Sequence, residues 1–300
     1  MDKKQYTILE HYVPQCYLRQ FSHQDGENHF AYCLFSNTTN IKRINVKNIC
    51  AVKDLYELES WNGYVDRNLI EDGFIKIESN YANFCRNYLI DIDHCEEVKV
   101  ESIDVMFIAN FCAFLVFRNK EMVDALIKCC EDYVQYNSAD WSALRREITS
   151  VDTQTLEQEI FPCLNQNLAY SLAHGLMKQM LDARVLSAEV VAFCEMLGSN
   201  CCFLYSQNED FITSDFPLVN IYGRKAKLLG FEDIICLPIN NKCCIAFSDN
   251  ERHKFKVYTL NAEQVDIVNY AQFSKKYNLI ISRDPESTLR YVQTKPLTRY

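Results

Sequence analysis

Residues 105–117 read Val-Met-Phe-Ile-Ala-Asn-Phe-Cys-Ala-Phe-Leu-Val-Phe, an apolar run broken only by Asn110. A helix without a polar face must be enclosed by protein, and this run falls short of the ~20 residues that a bilayer span needs. It is therefore expected to form the core of one helix over 101–133, with Ser102 and Asp104 as capping residues, and the rest of the chain is expected to wrap it. Arg118 ends the run. A guanidinium leaving a buried helix needs a carboxylate, backbone carbonyls or a bound anion beside it.

The length of 300 residues suits one large or two closely packed domains. The net charge of −9, with a pI near 5.3, argues against a broad DNA-binding surface but leaves room for a small basic pocket. Fifteen cysteines occur singly or as adjacent pairs (Cys129-Cys130, Cys201-Cys202, Cys243-Cys244), with no CxxC zinc spacing. They read as reduced, mostly buried thiols of a cytoplasmic protein with no membrane anchor.

The stretch Glu10-His11-Tyr12-Val13-Pro14-Gln15-Cys16-Tyr17-Leu18-Arg19-Gln20-Phe21 crowds hydrogen-bonding and ionisable groups around one proline. Pro14 biases Val13 towards an extended conformation and suits the first position of a helix, so an arm at 11–13 should lead into a helix from Gln15. Tyr17, Leu18 and Phe21 would pack inward. His11 would stand beside the helix start, where an anion is favoured; an equally good reading makes it a capping or core histidine. A second motif, Thr213-Ser214-Asp215-Phe216-Pro217, closes an apolar strand, where side chains project into a cleft. Its alternative is an Asx-type turn in which Asp215 binds its own backbone.

Between these motifs the pattern predicts a hairpin of strands at 30–35 and 41–46, then an amphipathic helix over 67–90 on Ile70, Phe74, Ile77, Tyr81 and Phe84. Further helices are expected across 137–197. Strands follow at 201–205, 234–237, 242–247 and 279–281, with a helix capped by Asn261 over 261–277. The fold class expected is α+β, predominantly helical, with a buried central helix and a small antiparallel sheet formed by N-terminal and C-terminal strands. A single domain over 1–300 is expected: arm and hairpin 1–60, helical core 65–198, strand and helix segment 199–284, polar tail 285–300.

His-Tyr-Val-Pro-Gln at 11–15, Val46-Lys47-Asn48-Ile49 before Asp54-Leu55-Tyr56, Ile77-Glu78, Phe117-Arg118 and Ile212-Thr213-Ser214-Asp215-Phe216-Pro217 carry a resemblance. In this order and spacing, from 11 to about 281, the chain resembles a mostly bacterial family catalogued as domain of unknown function 4238. One departure is Cys16, where that family more often has an aromatic residue. The resemblance implies one continuous α+β unit in a bacterial cytoplasm, with motif positions at His11, Lys47, Asn48, Glu78, Arg118 and Asp215. It implies no settled activity.

If these groups converge, they suit phosphodiester hydrolysis, with RNA or a small phosphate-bearing ligand as substrate. His11 would be acid or base, Arg118 would hold the anion, and Asp215 would orient His11 or join Glu78 in holding a divalent metal such as Mg²⁺. Tyr12, Gln15, Lys47, Asn48 and Ser214 would line the substrate. A non-catalytic sensor or binding module for a small anionic ligand or a protein partner competes with this reading. So does a buried network that merely fixes the N-terminal arm. No Walker loop, Gly-x-Gly-x-x-Gly, HExxH or Gly-x-Ser-x-Gly is present.

Overall fold

The computed structural model describes residues 8–56, 59–60, 63–64, 69–137, 166, 168–169, 172–173, 176, 201–222, 228, 233–247, 254–276 and 278–293. The helical reading of 137–197 falls outside them, apart from a few helical positions between 166 and 176. The chain groups into two compact units. The first holds residues 1–10, 53–74 and 120–187; the second holds 11–52, 75–119 and 188–300 and carries every candidate site residue.

In the second unit, strands β2 (His23–Asp25), β3 (Asn28–Phe35) and β4 (Ile41–Asn45) form two consecutive hairpins, the first turned by Gly26 at φ +59°. Two strands from far along the chain complete a five-stranded sheet. β14 (Leu279–Ser282) pairs antiparallel with β3, and β9 (Thr213–Ser214) pairs with β14. A second five-stranded sheet runs β10 (Val219–Tyr222), β11 (Asp233–Pro238), β12 (Cys243–Phe247), β8 (Cys201–Ser206), β13 (Val257–Leu260). Its pairs are antiparallel except β8 with β13. Short β1 (Leu9–His11) pairs with β5 (Ala51–Lys53), and β6 (Glu59–Ser60) with β7 (Gly63–Tyr64).

Two five-stranded sheets overturn the expectation of a predominantly helical fold with one small sheet. The strands expected at 30–35, 41–46, 201–205, 234–237, 242–247 and 279–281 all form. The short strands β2, β9, β10 and β13 were missed, and so was the pairing, which joins segments more than 200 residues apart and which no local pattern encodes. The central helix is also corrected. Helix α3 (Ser102–Phe117) stops at Arg118, and α4 (Lys120–Asn137) begins afresh in the first unit. Its N-cap is Glu101, without a side-chain cap bond, while Asp104 accepts from the Tyr88 hydroxyl at 2.6 Å. Nor is α3 enclosed on every side: Ile103 and Met106 are exposed and Phe107 and Phe114 half-buried. Among the described residues no single helix is long and apolar enough to cross a membrane.

Each sheet covers one part of the core. On one face of the C-terminal sheet Cys202, Leu204, Cys236, Cys244 and Ala246 bury against Val265 and Val268 of α5 (Ala262–Lys275). That helix starts in the capping box of Asn261 with Gln264. Phe203, on the opposite face by strand alternation, stacks on Phe84 at 6.4 Å, in the later part of α2 (Leu69–Tyr88). Tyr81 of the same helix stacks on Phe111 of α3 with ring centroids 4.0 Å apart. In the N-terminal sheet, Leu34 and Ile280 cluster with Ile212, Ile41, Phe273 and Tyr291. Tyr291 comes from α6 (Pro285–Gln293), so the stretch read as a polar tail contains a helix with buried Thr288 and Tyr291.

Candidate functional site

The proline behaves as its chemistry requires. Pro14 adopts φ −58° and ψ 140°, and helix α1 (Gln15–Leu18) starts immediately after it. The arm before it is pinned by Tyr12 N–H donating to Cys50 O at 3.0 Å. Tyr17, on the inward side of α1, is fully buried, with its hydroxyl 2.7 Å from both Thr213 Oγ1 and the Pro238 carbonyl. One phenol therefore ties the opening helix to both five-stranded sheets. Tyr81 adds a bond from its hydroxyl to Ile239 O at 3.2 Å.

Arg118 sits where α3 ends, only 2% exposed. Its Nη1 donates to Glu78 Oε1 at 2.8 Å, and its Nη2 donates to the carbonyl oxygen of His11. Of the three partners that the sequence reading allowed, a carboxylate and a backbone carbonyl are found inside the protein. Glu78 is 27% exposed at its side chain, and its second oxygen lies 3.9 Å from Cys16 Sγ. Burial first, then the Glu78 charge, pushes the Cys16 thiol up to about 12, so it is no nucleophile at neutral pH.

His11 meets Arg118 through its carbonyl and not through its ring. The ring is buried, and burial, with the Arg118 charge behind it, pulls the imidazole down to about 4; backbone hydrogen bonds with Val46 and Lys47 act the other way. His11 is therefore neutral at pH 7, and its buried Nε2 has no hydrogen-bond partner among the described residues. The pH consequence has a definite sign. The unfolded chain, with an ordinary histidine pKa, takes up the proton first, so the fold loses stability as pH falls from about 6.5 to about 4. The loss is expected to reach about 3 kcal/mol. Urea unfolding of wild type and His11→Gln at pH 7 and pH 4.5 checks it, since the variant should lack this part of the acid sensitivity.

Asp215 is joined to the same region through the residue after Arg118. Asn119, buried, donates from Nδ2 to the Asp215 carbonyl oxygen at 2.7 Å. The Asp215 side chain, 0% exposed, accepts from Asn278 N–H at 2.7 Å through Oδ2, and its charge is felt by Lys276. Its own N–H donates to Leu279 O at 3.1 Å. The enclosed carboxylate does not face a cleft. Ser214 makes the local turn, its Oγ accepting from Phe216 N–H at 3.1 Å and lying 2.7 Å from Gln272 Oε1.

The remaining sequence candidates divide. Tyr12 and Gln15 are half-buried at the arm, Ser214 is fully buried, and Lys47 and Asn48 are exposed. Lys47 lies in the 3-10 turn Val46–Asn48, which Asn45 caps by accepting from its N–H at 3.0 Å. A divalent metal does not fit Glu78 with Asp215, because one carboxylate is committed to Arg118 and Cys16 and the other to Asn278. Among the described residues no group of three or more His, Cys, Asp or Glu is gathered to hold one. Sequence reading missed Asn119, Gln272 and Asn269. The last two are polar residues three apart on the buried face of α5, a placement that itself signals internal hydrogen bonds.

Among the described residues the chain is an α+β protein with two five-stranded sheets and a polar cluster centred on the buried Arg118. The chain belongs to the family described as "Protein of unknown function (DUF4238)", whose model matches residues 10–286. No curated protein and no solved structure matches it.

Proposed function

We propose that this chain is a binding module and that His11, Arg118, Glu78, Asn119 and Asp215 form an internal lock on the N-terminal arm. One observation carries this reading: the Arg118 guanidinium is turned inward onto Glu78 and the His11 carbonyl, so it is not offered to a phosphate. Asp215, equally enclosed, holds a backbone N–H where hydrolysis would need it to orient the imidazole.

Phosphodiester hydrolysis is the second reading: His11 is neutral at pH 7, as a general base must be, and its Nε2 has no partner among the described residues, although burial and the Arg118 charge weaken its affinity for a proton. The two separate in one assay. Wild type and His11→Ala are incubated with labelled single-stranded RNA and DNA, with and without Mg²⁺. The binding reading expects no turnover by either. Cleavage by wild type that His11→Ala abolishes, at unchanged melting temperature, would establish hydrolysis. The bacterial cytoplasm is the proposed setting, supported by the family resemblance and by the free, mostly buried thiols among the described cysteines.

A further inference from the structure

The N-terminal arm belongs to a two-stranded ribbon, because β1 pairs with β5 and, among the described residues, with no other strand. The ribbon is pinned at both ends: Tyr12 N–H donates to Cys50 O and Asp54 N–H to Ile8 O, each at 3.0 Å. Cys50 and Asp54, the two residues that bracket β5, stand at φ +53° and +50°. A residue with a β-carbon takes this left-handed conformation at a cost and stays there only while its surroundings enforce it. Solvent reaches much of the ribbon, since Ile8, Leu9 and Lys53 are exposed and Ala51 and Val52 half-buried. Exposed side chains and two costly backbone conformations mark a segment of low local stability.

Two buried residues of β1 hold it. Glu10 accepts from Tyr56 N–H at 2.6 Å, three residues past β5, so this bond joins the ribbon to its own continuation. His11 ties it to other elements: its carbonyl accepts from Arg118 Nη2 at the end of α3, and its ring bonds to the backbone of Val46 and Lys47. Charged and titratable groups come from each element around it. Arg118 comes from α3, with Glu78 of α2 on its other nitrogen at 2.8 Å and Cys16 of α1 beyond Glu78. Lys47 in the 3-10 turn points its charge to solvent, and Glu10 adjoins His11 in β1. Arg118 is the charge that bears on the ring. The buried Nε2 has no partner among the described residues, so a proton added there meets no acceptor.

We infer that the β1–β5 ribbon is a proton-released strap: a proton on the His11 ring, with Arg118 beside it and no acceptor at Nε2, opens the ribbon while the two five-stranded sheets stay folded. An imidazolium buried against a guanidinium gains by reaching water, and opening the ribbon takes it there. Opening also frees Cys50 and Asp54 from the left-handed conformation. The inference rests on the reading of these residues as a lock on the arm and supplies its release.

The test is native-state hydrogen exchange of the full chain across low urea concentrations at pH 7 and pH 4.5, corrected for intrinsic exchange rates. The Tyr12 and Asp54 amides are expected to exchange through an opening with a small urea slope, and the amides of β8 and β12 through global unfolding with a large one. The opening equilibrium of the ribbon should rise about 80-fold from pH 7 to pH 4.5, as linkage between an ordinary histidine and one at about 4 requires. In His11→Gln, which has no titrating ring, that rise should vanish. A ribbon that shares the urea slope of β8 and β12 in wild type overturns the strap, whatever the variant does. No rise with acid in wild type, or an equal rise in His11→Gln, overturns the proton as its release. Exchange needs no substrate, so cleavage of RNA or DNA would sink the binding reading and leave this result intact, and the reverse also holds.

Discussion

Arg118→Met is expected to lower stability by about 3 kcal/mol, a drop in melting temperature of roughly 6 to 12 °C. Methionine fills similar space, so the loss is electrostatic and not a cavity. Without the guanidinium, the Glu78 carboxylate loses its cationic partner at the margin of the core, and the His11 carbonyl loses its donor. Breaking one side of a fully buried pair costs about 3–5 kcal/mol. The exposed part of Glu78 places the expectation at the lower end. Differential scanning calorimetry reads the shift directly, and no shift would mean that the contacts carry no stability.

Asp215→Ala should cost about 2–3 kcal/mol, because the Asn278 N–H then lacks the carboxylate that receives it. Asn278 immediately precedes β14, the strand that pairs with both β3 and β9, so a loosened Asn278 disturbs the centre of the N-terminal sheet. Asp215→Asn retains an acceptor of the same shape and is expected to lose less than about 1 kcal/mol. The contrast separates roles: a catalytic carboxylate would lose activity equally in both variants, whereas a lock distinguishes them by stability. Urea midpoints of the two proteins supply the comparison.

Much of this was legible in the residues. The apolar run required burial, and Arg118 behind it required a carboxylate or carbonyl, which Glu78 and His11 provide. Asn261 announced the capping box of α5, and alternation marked both β3 and β4.

The helix break at Arg118 and Asn119 was hidden, since neither proline nor glycine stands there. Asn119 turns its amide to the Asp215 carbonyl, 96 residues away in sequence, a tertiary bond that local propensity does not register. Glu78 looked like a margin carboxylate because its position on α2 fixes only the face, and its partner arrives from another helix. Asp215 looked like a cleft residue because its hydrogen-bond donor lies 63 positions later. Three strands of the second sheet were marked in the residues, at 201–205, 234–237 and 242–247, but their grouping into a sheet of their own was not, because pairing is a tertiary property.

The inward orientation of the guanidinium is tested most directly by a double-mutant cycle on Arg118 and Glu78, measured by urea unfolding at pH 7. Arg118→Met should be strongly destabilising alone, and Arg118→Met/Glu78→Leu should recover most of that loss, giving a coupling of about 2 kcal/mol or more. A coupling near zero, with Arg118→Met as stable as wild type, would mean that Arg118 is held for something outside the fold.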